Sequence, residues 1–210
     1  MGIPGDRISR AGDPRESAIS LIKSEHHALA AVMHALRRFT RALRDGHVDA
    51  DFELLAAMLH YIDIFPERFH HPKEELHLFS ALHRRTAALD GVLDALRAEH
   101  VRSDQLMRQL ERALVHYQGG AAGGLADFCA LVDAYAAFTF EHMRVEEERV
   151  LVAAPDYLTR EDWLAIDDAF RDNRDPLFGA QPTEVLRRLR QRIANLVPVK
   201  LRPLFREGDS

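Results

Sequence analysis

Three histidines occupy positions where a helical protein would ordinarily place leucine. His26 continues the series Ile19, Ile22 toward Leu29, Met33 and Leu36; His100 continues Leu93, Leu96 toward Ser103, Met107, Leu110 and Leu114; His142 continues Phe128, Leu131, Tyr135, Phe138 toward Val145. Each lies on the alternating three- and four-residue step that buries one stripe of a helix. One such histidine is most simply a core residue with a satisfied hydrogen bond. Three in one chain raise the cost, because a buried polar ring is unfavourable without a partner. A shared metal ion satisfies them all at once.

Carboxylates recur at ligand spacing in the same segments. His70-His71-Pro72-Lys73-Glu74-Glu75 and His142-Met143-Arg144-Val145-Glu146-Glu147 each contain His-x-x-x-Glu, which places a nitrogen and an oxygen donor one turn apart on one helix face. One pair of this kind arises readily by chance; two on alternate helices are far more specific. The chain also repeats itself. Glu25-His26 is followed 44 positions after its histidine by His70, and Glu99-His100 is followed 42 positions after its histidine by His142. Each half is a helical hairpin carrying one lone histidine and one His-x-x-x-Glu pair. Packed about a pseudo-twofold axis, the halves converge His26, His70, His100 and His142 with Glu74 and Glu146. Six ligands are too many for one tetrahedral zinc and suit two metals, with the carboxylates able to bridge them.

The elements that must position these groups follow from the same periodicity. Four long helices are expected: about Arg15 to Arg44, closed by Gly46 in a left-handed cap; about Asp49 or Asp51 to His83, through Phe52, Leu55, Leu59 and Ile62; about Asp90 to Gln118; and about Leu125 to Val152, stopped by Pro155. Pro66 and Pro72 remove backbone donors from the second, so a kink or irregular turn is expected around His70. The run Gly119 to Gly124 reads as a loop. Short connections make this an all-α, antiparallel up-down-up-down four-helix bundle over residues 15–154. Residues 1–14 read as a flexible tail and residues 155–210 as a helical extension. In that extension, Thr159 and Asp162 form a capping box for a helix to about Phe170, closed by Asp175-Pro176, and a last helix runs from Thr183 to about Leu196. Its apolar side carries Val185, Leu189, Ile193 and Leu196. Its arginines face water, or offer a docking surface for a protein partner or a second copy.

Composition narrows the chemistry. The 210 residues include twelve histidines but one cysteine, Cys129, so a thiolate-built zinc or iron–sulfur site is excluded and nitrogen and oxygen ligands must carry any metal. Formal charge is −5, with no basic phosphate-tracking run in the first 150 residues, which argues against nucleic acid as a partner. No apolar leader opens the chain and no 18-residue apolar run occurs, so no membrane association and a cytoplasmic location are expected.

As an ordered set on four helices, Glu25-His26, His70-His71-Pro72-Lys73-Glu74-Glu75, Glu99-His100 and His142-x-x-x-Glu146-Glu147 resemble the hemerythrin-like (HHE cation-binding) family over about Ser17 to Val152. The resemblance implies two non-haem iron ions, oxo- or hydroxo-bridged, with His26, His70, His100 and His142 as nitrogen ligands and Glu74 and Glu146 as bridging carboxylates. Manganese or zinc would accept the same donors. The oxygen-carrying hemerythrins use five histidines, a Glu and an Asp; here the position one turn after His100 is Asp104. The chain is therefore similar to the four-His, two-Glu members, which include iron–sulfur-repair and iron-sensing proteins, without the cysteine-bearing domain of the repair proteins.

Three functions fit this reading: binding or sensing of O2, NO or redox state at an open di-iron position; a di-iron oxidase, peroxidase-like or iron-delivery activity; and a metal-stabilised interaction protein. Among the remaining residues, His77 is expected to support the site or line its entrance, and His71 and Glu75 to face solvent or act outside the ligand set. Glu25 is expected to point away, and Glu99 to point away or orient a ligand. Tyr135 and Phe138 are expected to pack in the core or border a bound ligand. His27, His34, His47, His60, His83 and His116 are expected at the surface or rim.

Overall fold

The computed structural model describes residues 12–172 and 184–196. Helix α1 (Pro14–Arg44) begins where the Asp13 carboxylate accepts from the Arg15 N–H at 3.0 Å. It ends at Gly46, whose φ of 69° lets its own N–H and that of His47 reach back to the Leu43 and Ala42 carbonyls. Helix α2 (Phe52–Ile64) is capped by the Asp51 carboxylate on the Leu54 N–H at 2.9 Å.

At the prolines the rod widens and does not break. A π-helical turn (Phe65–His70), a single turn α3 (His71–Lys73), a second π turn (Glu74–Phe79) and α4 (Ser80–Arg85) follow without interruption. The turns close through bonds spanning five residues, from the His71 N–H to the Pro66 carbonyl and from the Ser80 N–H to the Glu75 carbonyl. The Ser80 hydroxyl donates to that same Glu75 carbonyl at 2.7 Å. The expected irregularity is therefore a pair of π turns flanking His71, a feature common at functional sites.

Helix α5 (Asp90–Gln118) matches its expected span, and α6 (Gly124–Val145) follows the glycine loop. Gly124 is required by contact: a Cβ there would meet the Tyr117 Cα at 2.9 Å. The fourth rod carries a π turn that no proline announces, Glu146–Val150, before α7 (Leu151–Ala153) and a 3-10 turn at Pro155. In both halves of the repeat a π turn thus starts on the site glutamate, Glu74 or Glu146.

The four rods form an all-α bundle, with α1 against α2 and α6, and α5 against α2 and α6. Helix α8 (Arg160–Arg171) opens with the expected capping box, Thr159 N–H to the Asp162 carboxylate at 3.0 Å and Asp162 N–H to the Thr159 hydroxyl at 3.3 Å. It lies on α1 and buries Trp163, Ile166 and Phe170. Helix α9 (Glu184–Leu196) places Leu189 and Ile193 in the core against α1 and α2, while Arg192 meets the Asp51 carboxylate. The expected tail through residue 11 and the Asp175-Pro176 stop lie outside the described residues. Among those described there is no strand, and no helix is long and apolar enough to cross a membrane.

Apolar burial falls into two clusters. One holds Leu29, Leu36, Phe65, Met107, Phe128 and Tyr135; the other holds Ile22, Phe79, Leu96, Val150, Trp163 and Phe170. Each fully buried Phe or Leu contributes roughly 1.5–3 kcal/mol. Along every rod the histidines identified from sequence fall at the divide: His26 between Ile22 and Leu29, His70 between Phe65 and Leu78, His100 between Leu96 and Met107, His142 between Tyr135 and Val150. The polar chamber is closed at both ends by hydrocarbon.

Candidate metal centre

All six residues singled out from the sequence meet in that chamber, and all are buried. They form two groups. His26 Nε2 lies 3.1 Å from His70 Nε2, and His100 Nε2 lies 3.2 Å from His142 Nε2. The two carboxylates lie between these pairs, one oxygen toward each. Glu74 Oε1 is 3.1 Å from His70 Nε2 and 3.6 Å from His26 Nε2, while its Oε2 is 3.7 Å from His100 Nε2. Glu146 Oε2 is 3.3 Å from His26 Nε2, and its Oε1 is 3.4 Å from His142 Nε2. Two sets of donors, each within 4.8 Å, thus share Glu74 and Glu146.

The donor chemistry fits cations better than any protein partner. Glu74 and Glu146 are 1% and 2% exposed, yet none of their four oxygens has a hydrogen-bond partner. Burying two carboxylates with only imidazoles as counter-charge and no well-formed hydrogen bond is a costly arrangement in a core. Two ions, each facing two imidazole nitrogens and one oxygen of each carboxylate, would satisfy every one of these atoms.

The outward nitrogens are held by a closed ring of glutamates. Glu25 on α1 binds His70 Nδ1 at 2.8 Å; Glu75 on the second rod binds His100 Nδ1 at 2.7 Å; Glu99 on α5 binds His142 Nδ1 at 2.8 Å; Glu147 on the fourth rod binds His26 Nδ1 at 2.9 Å. Lys73 meets the other oxygen of Glu25. With Nδ1–H donated to a carboxylate, each imidazole turns Nε2 inward as an acceptor and gains basicity. Replacing any one of these four glutamates by alanine is expected to lower metal affinity about 10–100-fold while helical content stays intact. Calorimetric titration of chelator-treated protein with zinc checks this, and an unchanged affinity would reject the positioning role.

Electrostatics follow from the same contacts. Burial lowers the His26 pKa, but the carboxylates of Glu146, Glu147 and Glu74 outweigh it and hold the group well above its ordinary 6.5. Burial also opposes the charge on His70, yet Glu74 and Glu25 push it up to about 9. Burial would raise Glu74, and His70 and His26 instead keep it well below the carboxylate range. Without metal, protons on His26 and His70 balance the central carboxylates.

Several expectations need correction. Glu25 does not point away: it is 7% exposed and turned onto His70, because its ring partner sits on the neighbouring rod. His71 does not face solvent. It is buried, with its ring stacked on His100 at 3.8 Å between centroids and 13° between planes, and burial keeps its pKa well below 6.5. Glu75 and Glu99 take the outer, ligand-orienting roles. Glu147 completes the ring, a role that its place in the second Glu-Glu pair, matching Glu75 in the first, makes legible once the repeat is recognised. Glu67 carries no comparable signal; its Oε1 lies 3.5 Å from His71 Nδ1, and burial pushes its carboxyl up to about 7.

His77 stays outside, lining an open surface groove with Arg68 and Asp168. His27, His47, His60, His83 and His116 are exposed, and His34 is half-buried against Phe140. Tyr135 packs in the core as expected, whereas Phe138 is only half-buried. Tyr135 is in the core with its hydroxyl 3.2 Å from the Ser103 hydroxyl, and both aromatic residues line a small cavity of about 10 Å³ beside His100 and His142. That volume admits about one water-sized molecule.

A family model described as the hemerythrin HHE cation-binding domain matches residues 17–154. No curated protein and no solved structure matches the chain.

Proposed function

The chain belongs to the hemerythrin HHE cation-binding family, and from that premise we propose that it holds two iron ions, one facing His26 and His70 and one facing His100 and His142, with Glu74 and Glu146 shared between them. The observation that carries this reading is the four carboxylate oxygens, none with a hydrogen-bond partner, at the meeting point of two imidazole pairs. Its biochemical event is binding of O2 or NO, or a change of redox state, at a coordination position that the protein leaves open. Two imidazoles and two carboxylate oxygens give each ion four protein donors, short of an octahedral set. When bound, iron supplies electrons and affinity for diatomic molecules.

The chain's own residues supply the rest. The apolar clusters at both ends exclude water, the glutamate ring fixes the imidazole orientations, and the small cavity bounded by Tyr135, Phe138, Thr139 and Ser103 leaves room for a small molecule beside the histidines. Protein made in iron-replete cells is expected to carry two irons per chain and a near-ultraviolet absorption that changes on exposure to O2 or NO. Recovery of one zinc and no iron would sink the proposal, as would a spectrum indifferent to both gases.

A further inference from the structure

Two buried polar atoms outside the six central residues face each other without a hydrogen-bond partner: Glu67 Oε1 and His71 Nδ1, 3.5 Å apart, too far to bond well. Glu67 stands in the first π turn with its side chain 25% exposed, so it still reaches water. From there polar groups lead inward. Ser103 on α5 lies within hydrogen-bonding reach of the Glu67 carboxyl, and the Ser103 hydroxyl is 3.2 Å from that of Tyr135 on α6. Ser103 and Tyr135 are both buried, and both line the small cavity beside His100 and His142. A carboxyl and two hydroxyls from three different rods thus run from solvent to the cavity wall.

We propose that Glu67, Ser103 and Tyr135 carry protons from solvent to a small molecule reduced in that cavity. This rests on the O2-binding reading above. A molecule that gains negative charge in a buried space needs a proton or an O–H donor. With O2 as that molecule, each of two iron(II) ions gives one electron and becomes iron(III), and the oxygen takes both electrons and one proton. That proton leaves Tyr135 Oη. Tyr135 takes its replacement from Ser103 Oγ, Ser103 from the Glu67 carboxyl, and Glu67 from water, so the three residues end as they began. Their acidities suit this order. Burial, with Asp63 and Asp104 nearby, pushes the Glu67 carboxyl up to about 7 against the opposing effects of Ser103 and His142, so it both holds and releases a proton near neutrality. Burial pushes the Tyr135 hydroxyl up to about 12 although Ser103 opposes it, so it rests protonated. His71, facing Glu67 from the same rod, is kept neutral by burial.

The test mixes reduced, iron-loaded full-length protein with O2, or with NO, whose binding takes up no proton, and follows the absorption change by stopped flow. In wild type the O2 rate is expected to fall as pH rises through about 7 and to be slower in D2O. Glu67→Gln and Tyr135→Phe keep the shapes of their side chains, and circular dichroism checks that the helices persist. Each is expected to slow the O2 step by about 100-fold or more with NO uptake unchanged, and Glu67→Gln to abolish the pH dependence. In metal-free protein, infrared difference spectra should show a carboxyl titrating near pH 7 that Glu67→Gln removes; its absence from wild type would overturn the role of Glu67. Wild-type O2 kinetics in Glu67→Gln overturn the proposal alone, as does equal slowing of O2 and NO, which marks a cavity merely reshaped. Wild type that answers NO but not O2 overturns it and leaves the metal-centred function standing; wild type that answers neither gas overturns both.

Discussion

Glu74→Gln protein is expected to lose both metal ions together, whereas His26→Ala loses mainly one. Glu74 belongs to both donor groups, with Oε1 toward His70 and His26 and Oε2 toward His100. The amide keeps the side chain's volume but removes its negative charge and turns one oxygen into a donor nitrogen. Each ion thereby loses an anionic ligand. Affinity at both positions should fall by more than the factor of about 10–100 that loss of an outer hydrogen-bond partner costs. Metal-free Glu74→Gln should also be destabilised by about 3–5 kcal/mol, because the buried pairing of Glu74 with His26 and His70 is broken. Metal content by elemental analysis and a denaturant melt of the chelator-treated protein check the two parts separately. Retention of two ions would show that Glu74 does not bridge.

Stripping wild type of metal should lower its melting temperature by roughly 8–16 °C for each ion lost when the free metal would otherwise stand near a thousandfold above its dissociation constant, equivalent to about 4 kcal/mol per ion. The size of that gap should depend on pH in a stated direction. In the metal-free chain the His70 pKa is about 9, above its ordinary 6.5, and His26 is raised likewise. A group raised on folding stabilises fully below its unfolded pKa and loses that contribution as pH climbs through the folded value. Metal-free protein should therefore weaken between about pH 6.5 and 9. Metal must displace those same protons, so its apparent affinity should rise over this window, by up to about tenfold per pH unit for each proton released. The metal-bound and metal-free melting curves should diverge as pH increases. A gap that stays constant from pH 6.5 to 9 would contradict the protonated pairing of His26 and His70.

Stability gained from metal alone would also suit a protein whose ion is purely structural. Gas-dependent spectra decide between the two.

The sequence by itself determined the four rods, because the three/four step of apolar residues is a property of one helix and needs no neighbour to be read. It singled out the six residues that meet at the centre for the same reason: His-x-x-x-Glu and a histidine in an apolar seam name residues on one face. The repeat of Glu-His and His-x-x-x-Glu-Glu even contained all four outer glutamates. Their partners were not legible, because Glu25 to His70, Glu75 to His100, Glu99 to His142 and Glu147 to His26 each cross between rods. Which of its two expected roles His71 takes was not legible for a related reason. A regular helix turns successive residues about 100° apart, which sends His71 off the face of His70; the π turns at Phe65–His70 and Glu74–Phe79 alter that register. Whether a backbone N–H bonds four or five residues back is settled only when the rod packs against its neighbours, so the direction of His71 belongs to the tertiary structure alone.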